Sequence, residues 1–322
     1  MKLEPFSNQT IKNLELWKKY YFEHLSVNNT SSNTIRLYRR VIDNFIEWVF
    51  IENENCNNCI LLNNLNRFTF TSFLNSLKEK KLSDKTIQTY LAVLKSFFMF
   101  ITEENEDAID IYQHLEKIKI KVSQKEIITY SNDEINRIKR VVIELLEKKR
   151  ISYSKYKNAL ILLFVLFSAM RIDEALELKI NDIEINENDI KFKIRGKGGK
   201  ERILYLSGDF KDYIDKFLEL RKKSNIKSDY FFASNKGTKT VYNTMLRFNR
   251  DTILPKAHIY DKQKVGLHTY RHTLASKLVE ENVNLETIKE ILGHSDIRTT
   301  SMFYAKTNEK AKRKALIDYK IK

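Results

Sequence analysis

Little in this sequence would sharpen a turn or crosslink the chain. Its 322 residues include two prolines, seven glycines and two cysteines. So few turn residues point to a mainly helical chain with few tight turns. The cysteines, Cys56 and Cys59, form a single C-x-x-C. A structural zinc would need two further ligands, and no His or Cys lies close in sequence, so the pair reads as ordinary thiols in a reducing cytosol. Long apolar runs are missing too. The longest, Ala159 to Ala169, is too short to span a bilayer and suits a buried helix. Met1 to Thr10 carries no apolar stretch or cleavage pattern, so no signal peptide is expected there and the location is read as cytoplasmic.

What the chain has in excess is positive charge, with 57 Lys and Arg against 42 Asp and Glu, a net +15. With no membrane span, that balance favours nucleic acid as the polyanionic partner, although a lysine-rich surface alone does not discriminate. The length allows two domains, each with its own core.

Residues 1–118 read as a helical domain. Helices are expected over Ile11–Leu25, Ile35–Phe50, Phe70–Lys80 and Thr86–Thr102, with an asparagine-rich loop at 56–67. The apolar stripe of the second is Ile35, Tyr38, Ile42, Phe45, Ile46 and Val49, and that of the fourth Ile87, Tyr90, Leu91, Leu94, Phe97 and Phe98. Two helices share the opening S-x-x-T-I, at Ser31 and Ser83, which places hydroxyls and basic groups beside helix N-termini. Arg36, Arg39 and Lys85 are therefore candidate DNA contacts, against the plainer reading of the hydroxyls as caps. Residues 119–130 are basic and alternating and read as a linker. Ser131 and Glu134 then form a capping box that opens a second domain, 131–322.

In that domain, helices are expected over Ile135–Lys149, Asn158–Ala169 and Ile172–Leu178. A strand pair turning near Asn186–Asp189, a Gly-rich turn at 195–200 and a returning strand Glu201–Leu206 follow. Helices Asp209–Lys222 and Val241–Ile253 come next. Three patches carry candidate chemistry. In A-M-R-I-D-E-A-L, Arg171 follows an apolar helix and has Glu174 one turn on; alone, this is a packed ion pair. R-G-K-G-G-K-E-R sets Lys197 and Lys200 on a hairpin turn. It is not a P-loop, since Lys200 precedes Glu201 rather than Ser or Thr, and alone it is a solvated hairpin. The third runs from Gly266 to Tyr304. There His268 and Arg271 share a helical face, Leu292-Gly293 ends a helix before His294, and Tyr304 follows.

Taken in order, these motifs, with L-H-T-Y-R-H-T-L-A-S and I-L-G-H-S-D-I-R-T-T-S-M-F-Y, resemble those of the tyrosine recombinases, the phage-integrase family, in their simpler Xer-like form. The resemblance spans about residues 131–310, and more weakly the N-terminal half as a core-binding domain. It implies a mainly α, two-domain DNA clamp: a helical core-binding domain plus an α-rich catalytic domain with a small antiparallel β-hairpin. The implied activity is site-specific DNA cleavage and rejoining through a 3′-phosphotyrosyl link, by a homotetramer on two double-stranded DNA segments, without metal or other cofactor. Arg171 and Arg271 would clamp the scissile phosphate, Lys197 would protonate the leaving 5′ oxygen, and His268 would move the proton of the tyrosine. His294 would bond the phosphate, Tyr304 would attack, and Glu174 would support the arginine. Lys200 would join the DNA contacts, and the tail 308–322 would dock on a neighbouring protomer.

The chain departs from the family pattern twice. Ala169 stands where a glycine is usual, a replacement expected to matter little. Phe303 stands nine residues beyond His294, where the nucleophile is usual, with Tyr304 one later. Two rival readings stay open, a type IB topoisomerase-like relaxing enzyme and a non-catalytic DNA-binding relative.

Overall fold

The computed structural model describes residues 7–55, 65–105, 110–123, 127–196, 201–293 and 303. The chain divides into two compact units, Met1–Lys125 and Glu126–Lys322, and the division falls inside the basic stretch 119–130.

The first unit consists of α1 (Ser7–Val27), α2 (Ser32–Asn55), α3 (Arg67–Glu79), α4 (Asp84–Glu104) and the short α5 (Tyr112–Glu116). α2 and α4 start the same way. Ser31 Oγ accepts the Thr34 amide at 3.2 Å and Ser83 Oγ accepts the Thr86 amide at 3.2 Å, so each serine satisfies an orphan N–H of the first turn. Asn66 caps α3 in the same manner, accepting from the Phe68 and Thr69 amides. The apolar stripes meet in an aromatic core. Phe45 packs on Phe70, Phe73 and Phe98 with ring centroids 5.1–5.7 Å apart, two of the three contacts edge-on. Burying each such ring contributes on the order of 2 kcal/mol. Five residues are too few for a periodic signal, so the sequence pattern does not reveal α5. The expected loop at 56–67 falls largely outside the described residues.

The second unit opens with α6 (Asn132–Glu147). Its capping box is complete: the Ser131 amide donates to Glu134 Oε2 at 2.8 Å and the Glu134 amide to Ser131 Oγ at 3.2 Å. α7 (Tyr153–Ser168) is apolar nearly all round and lies at the centre of the core. It stops at Ala169, whose φ of 55° turns the chain left-handed and sends it into α8 (Ile172–Glu177). Strands β1 (Ile183–Ile185), β2 (Asp189–Arg195) and β3 (Glu201–Ser207) form an antiparallel sheet in that order, with Ile194 opposite Arg202 and Phe192 opposite Leu204. Ile190, Phe192, Ile194, Leu204 and Leu206 face the core.

α9 (Lys211–Lys223) and α10 (Tyr242–Phe248) follow. The single helix expected over 241–253 instead widens into a π-helical turn at Asn249–Ile253 before α11 (Leu254–Lys256). Pro255 brings no N–H to the α-helical ladder. Asn249, fully buried, donates to the Val265 carbonyl at 3.0 Å and accepts from the Tyr270 hydroxyl at 2.5 Å. These bonds, with that of the Tyr130 hydroxyl to the Lys264 carbonyl at 2.7 Å, secure the segment entering α12 (His268–Glu280). α13 (Leu285–Leu292) ends at Gly293, φ 59°.

Candidate functional site

The site is built on the C-terminal end of α13. A helix leaves its last carbonyls without partners and carries a partial negative charge there. Three consecutive carbonyls each receive an arginine. Ile291 O accepts from Arg202 Nε at 3.1 Å, Leu292 O from Arg271 Nη2, and Gly293 O from Arg171 Nη2 at 3.4 Å. Gly293 makes this possible twice over. It adopts a positive φ, and a Cβ there would stand 2.8 Å from Arg202 Nη1.

Glu174, with 8% of its side chain exposed, is the counter-ion the cluster shares. Its Oε2 accepts from the Arg171 amide at 2.6 Å and Arg202 Nη2 at 2.7 Å. Its Oε1 accepts from Arg171 Nη1 at 2.8 Å and Arg202 Nη1 at 3.0 Å. Burial pushes this carboxyl upward, but the Arg202 fork and then the Arg171 bonds outweigh burial and hold it below the usual range.

Arg271 is 4% exposed and donates to the Ala169 carbonyl at 2.6 Å as well as to Leu292. Burial first, and then the charges of Arg171 and Arg202, lower its pKa to about 9 against the opposing pull of Glu174. Among the described residues, three guanidiniums thus face one buried carboxylate and one helix end, a local excess of positive charge that an anion would relieve. Arg171 is the open member, with 36% of its side chain exposed. A guanidinium fork matches phosphate oxygens in plane, so the arrangement suits a phosphodiester.

His268 opens α12 on the exposed side of this cluster. Partial burial lowers its pKa, Asp173 opposes, and Arg271 and Arg171 lower it further, so the imidazole is neutral near pH 7 and able to accept a proton. One turn on, His272 is lowered by burial, His268 and Arg271, against a hydrogen bond with the Ile128 backbone. Its ring lies 5.7 Å from that of Phe303. Phe303, 5% exposed, is a core residue packed with Ala169, Ala275, Val279, Ile288 and Leu292.

The fold therefore assembles Arg171, Glu174, His268 and Arg271 around one point. Lys197, Lys200, His294 and Tyr304 lie outside the described residues, as do Cys56, Cys59 and the tail 308–322. Their flanks are described: Arg195 and Glu201 pair at the base of the hairpin, and Gly293 and Phe303 adjoin His294 and Tyr304. In the first unit Arg36, Arg39 and Lys85 are exposed. Arg39 lies over the Phe22 ring at 4.2 Å and Lys85 Nζ donates to Gln88 at 3.1 Å. The Ser31 and Ser83 hydroxyls are committed to capping, as the plainer reading has it. Ala169 holds a left-handed position, φ 55°, which glycine adopts freely and an L residue at a modest cost. Sequence reading missed Arg202. The signal was there: in E-R-I-L-Y-L-S the arginine is in phase with Leu204 and Leu206, on the buried face of the strand.

Residues 131–311 match the model of the phage integrase family, and residues 19–105 that of the phage integrase N-terminal SAM-like domain. The first match covers more than half of the chain, which belongs to the phage integrase family. Among curated relatives, the tyrosine recombinase XerD of Oceanobacillus iheyensis is 25% identical over 88% of this chain and 90% of that protein. The tyrosine recombinase XerA of Pyrococcus horikoshii is 27% identical over 91% and 90%. The XerH site-specific recombinase, solved in a post-cleavage complex with palindromic difH substrate, matches 98% of this chain and 85% of its own with a TM-score of 0.76 and 23% identity, a likeness of fold. No helix among the described residues is long and apolar enough to cross a membrane.

Proposed function

We propose that this chain is a site-specific DNA recombinase that cuts and rejoins double-stranded DNA through a 3′-phosphotyrosyl intermediate. The carrying observation is the three-arginine cluster on the end of α13, under-compensated among the described residues by one buried carboxylate. Arg171 and Arg271 offset the charge that builds on the nonbridging oxygens of the scissile phosphate. The Tyr304 hydroxyl attacks phosphorus and the bond from phosphorus to O5′ breaks. His268 receives the tyrosine proton and Lys197 supplies one to O5′, giving a free 5′-hydroxyl. His294 donates to the phosphate. A second 5′-hydroxyl then attacks the phosphotyrosine, and the bond energy is conserved throughout.

The domain reading stays with this proposal: 1–118 grips DNA with Arg36, Arg39 and Lys85, residues 119–130 link, and 131–322 carries the chemistry with Lys200 on the DNA backbone. Assembly as a homotetramer through exchange of the tail 308–322, acting in the cytoplasm, belongs to it as well. One observation favours a non-catalytic relative. The position nine residues past His294 holds Phe303, which has no hydroxyl and lies in the core.

The deciding experiment uses a duplex selected for binding from a randomised pool and nicked so that cleavage is trapped. The purified chain should form a covalent adduct resistant to denaturant, mapped by mass spectrometry to Tyr304, and Tyr304→Phe should form none. Specific binding without an adduct would favour the non-catalytic relative. Supercoil relaxation without recombinant product would favour the topoisomerase-like reading.

A further inference from the structure

We propose that Arg202 is a positioning residue for strand cleavage, acting through Glu174 and the end of α13 to set where Arg171 stands. This rests on the recombinase reading above and adds to it a residue that touches no substrate. Arg202 sits on β3 opposite Ile194, and strand alternation turns it inward with Leu204 and Leu206. Its side chain is 13% exposed, and each of its three guanidinium nitrogens is engaged: Nε on Ile291 O, Nη1 and Nη2 on the two oxygens of Glu174. Three of its five N–H groups are so engaged, and the fork is turned to Glu174 rather than to solvent. Any effect on the reaction passes through what it holds.

What it holds is the carboxylate that orients Arg171. The Arg202 fork meets both oxygens of Glu174 and so fixes the carboxylate plane. The Arg171 amide and Nη1 take up the same two oxygens from the other side. Turning the carboxylate would therefore swing Arg171, the most open of the three guanidiniums. Through Nε, Arg202 also fixes the last turn of α13, whose next two carbonyls hold Arg271 and Arg171. It stands one residue past Glu201, where the hairpin bearing Lys197 closes. A single side chain on β3 thus ties Glu174, and through it Arg171, to the end of α13. Lysine cannot replace it, because one ammonium cannot reach two carboxylate oxygens and a carbonyl in a single plane. Gly293 is the matching half of the device: a Cβ there would come within 2.8–3.0 Å of the Arg202 guanidinium and push it off both partners.

The test compares wild type, Arg202→Lys, Glu174→Gln and the double variant on the nicked duplex. It reads the single-turnover cleavage rate at saturating DNA, the Kd for DNA, and Tm. Displacing a clamp by about an ångström slows chemistry by up to about a hundredfold. Arg202→Lys is therefore expected to cleave about 10- to 100-fold more slowly, with Kd within about twofold of wild type. The double variant is expected to be no slower than the slower single variant, because both changes break the same link. Should Arg202→Lys fold poorly, Gly293→Ala, which displaces the native arginine, should give the same split between rate and affinity. Cleavage by Arg202→Lys at the wild-type rate overturns the proposal, as does slowing in the double variant equal to the product of the two singles. If the wild-type chain itself binds DNA and forms no adduct, the recombinase reading falls, and any part for Arg202 in cleavage falls with it.

Discussion

Two buried arginines in the second unit show how differently one side chain can be used. Arg221, 7% exposed, stands near the end of α9 and donates to the carbonyls of Ser228, Tyr230 and Phe231 at 2.5–2.7 Å. The following turn folds round it. Arg271, 4% exposed, also donates to carbonyls, those of Ala169 and Leu292, but it shares its surroundings with Arg171 and Arg202. The first arginine completes a turn. The second belongs to a group with more positive charge than its described partners balance, and burial first, then the charges of Arg171 and Arg202, lower its pKa to about 9. Burial of an arginine is therefore no sign of function by itself. The informative feature is the charge left over once all partners are counted.

The sharpest way to break this comparison is to remove one member from each place. We expect Arg171→Ala to slow cleavage by about 10²- to 10³-fold, the usual consequence of deleting one preorganised donor at a developing charge. Its Tm should change little, because Arg171 is the exposed member of the cluster. For Arg221→Met the pattern reverses. Three carbonyls lose their donor, so stability should fall by about 3 kcal/mol, while cleavage per folded molecule stays at the wild-type rate. Denaturant unfolding and single-turnover cleavage, run side by side on both variants, read the two effects separately.

These two arginines also mark how far sequence reasoning reached. Arg171 and Arg271 stood in motifs whose order along the chain carried the resemblance, so they could be named without coordinates, as could Glu174 one turn beyond Arg171. The helical periodicity of the first unit was equally legible, because Ile87, Tyr90, Leu91, Leu94, Phe97 and Phe98 repeat at helical spacing and all are buried. The inward phase of Arg202 was legible in its strand, but the partners of Arg202 and Arg221 are backbone carbonyls or a carboxylate 28 residues away, which no local pattern encodes. The π-helical turn at Asn249–Ile253 was missed for a related reason: the Asn249 side chain is held by Val265 and Tyr270, both on later segments.

Acidity sharpens the comparison further. The Glu174 carboxyl is held below the usual carboxylate range. Its folded-state pKa lies below the unfolded value, so the stability it contributes is present above about pH 4.5 and is lost as pH falls through the folded value. The three carbonyls that Arg221 holds do not titrate. Unfolding curves of wild type and Glu174→Gln should therefore converge as pH falls through that lowered value, whereas the gap between wild type and Arg221→Met, set by carbonyls, should not close there. Cleavage has its own acid limb. His268, lowered from 6.5, is neutral at pH 7, and a reaction that needs it as proton acceptor should be flat near neutrality and fall about tenfold per pH unit once His268 is protonated. His268→Gln should abolish that limb.

The smallest expected effect concerns the residue that gives Arg271 one of its two carbonyls. Ala169 holds φ at 55°, a conformation that an L side chain adopts at a cost of about 1 kcal/mol and that glycine adopts freely. Its methyl is fully buried in the cluster with Phe303 and Leu292, and deleting it sacrifices about 0.8 kcal/mol of burial. The two terms nearly cancel, so Ala169→Gly should shift stability by less than about 1 kcal/mol. The left-handed turn itself, and with it the carbonyl facing Arg271, is open to either residue. Cleavage should therefore stay close to wild type in Ala169→Gly and fall in Ala169→Val, whose branched side chain resists a positive φ. Should valine leave cleavage intact, the Ala169 carbonyl would be dispensable to Arg271, and Arg271 would stand nearer to Arg221 than the comparison allows.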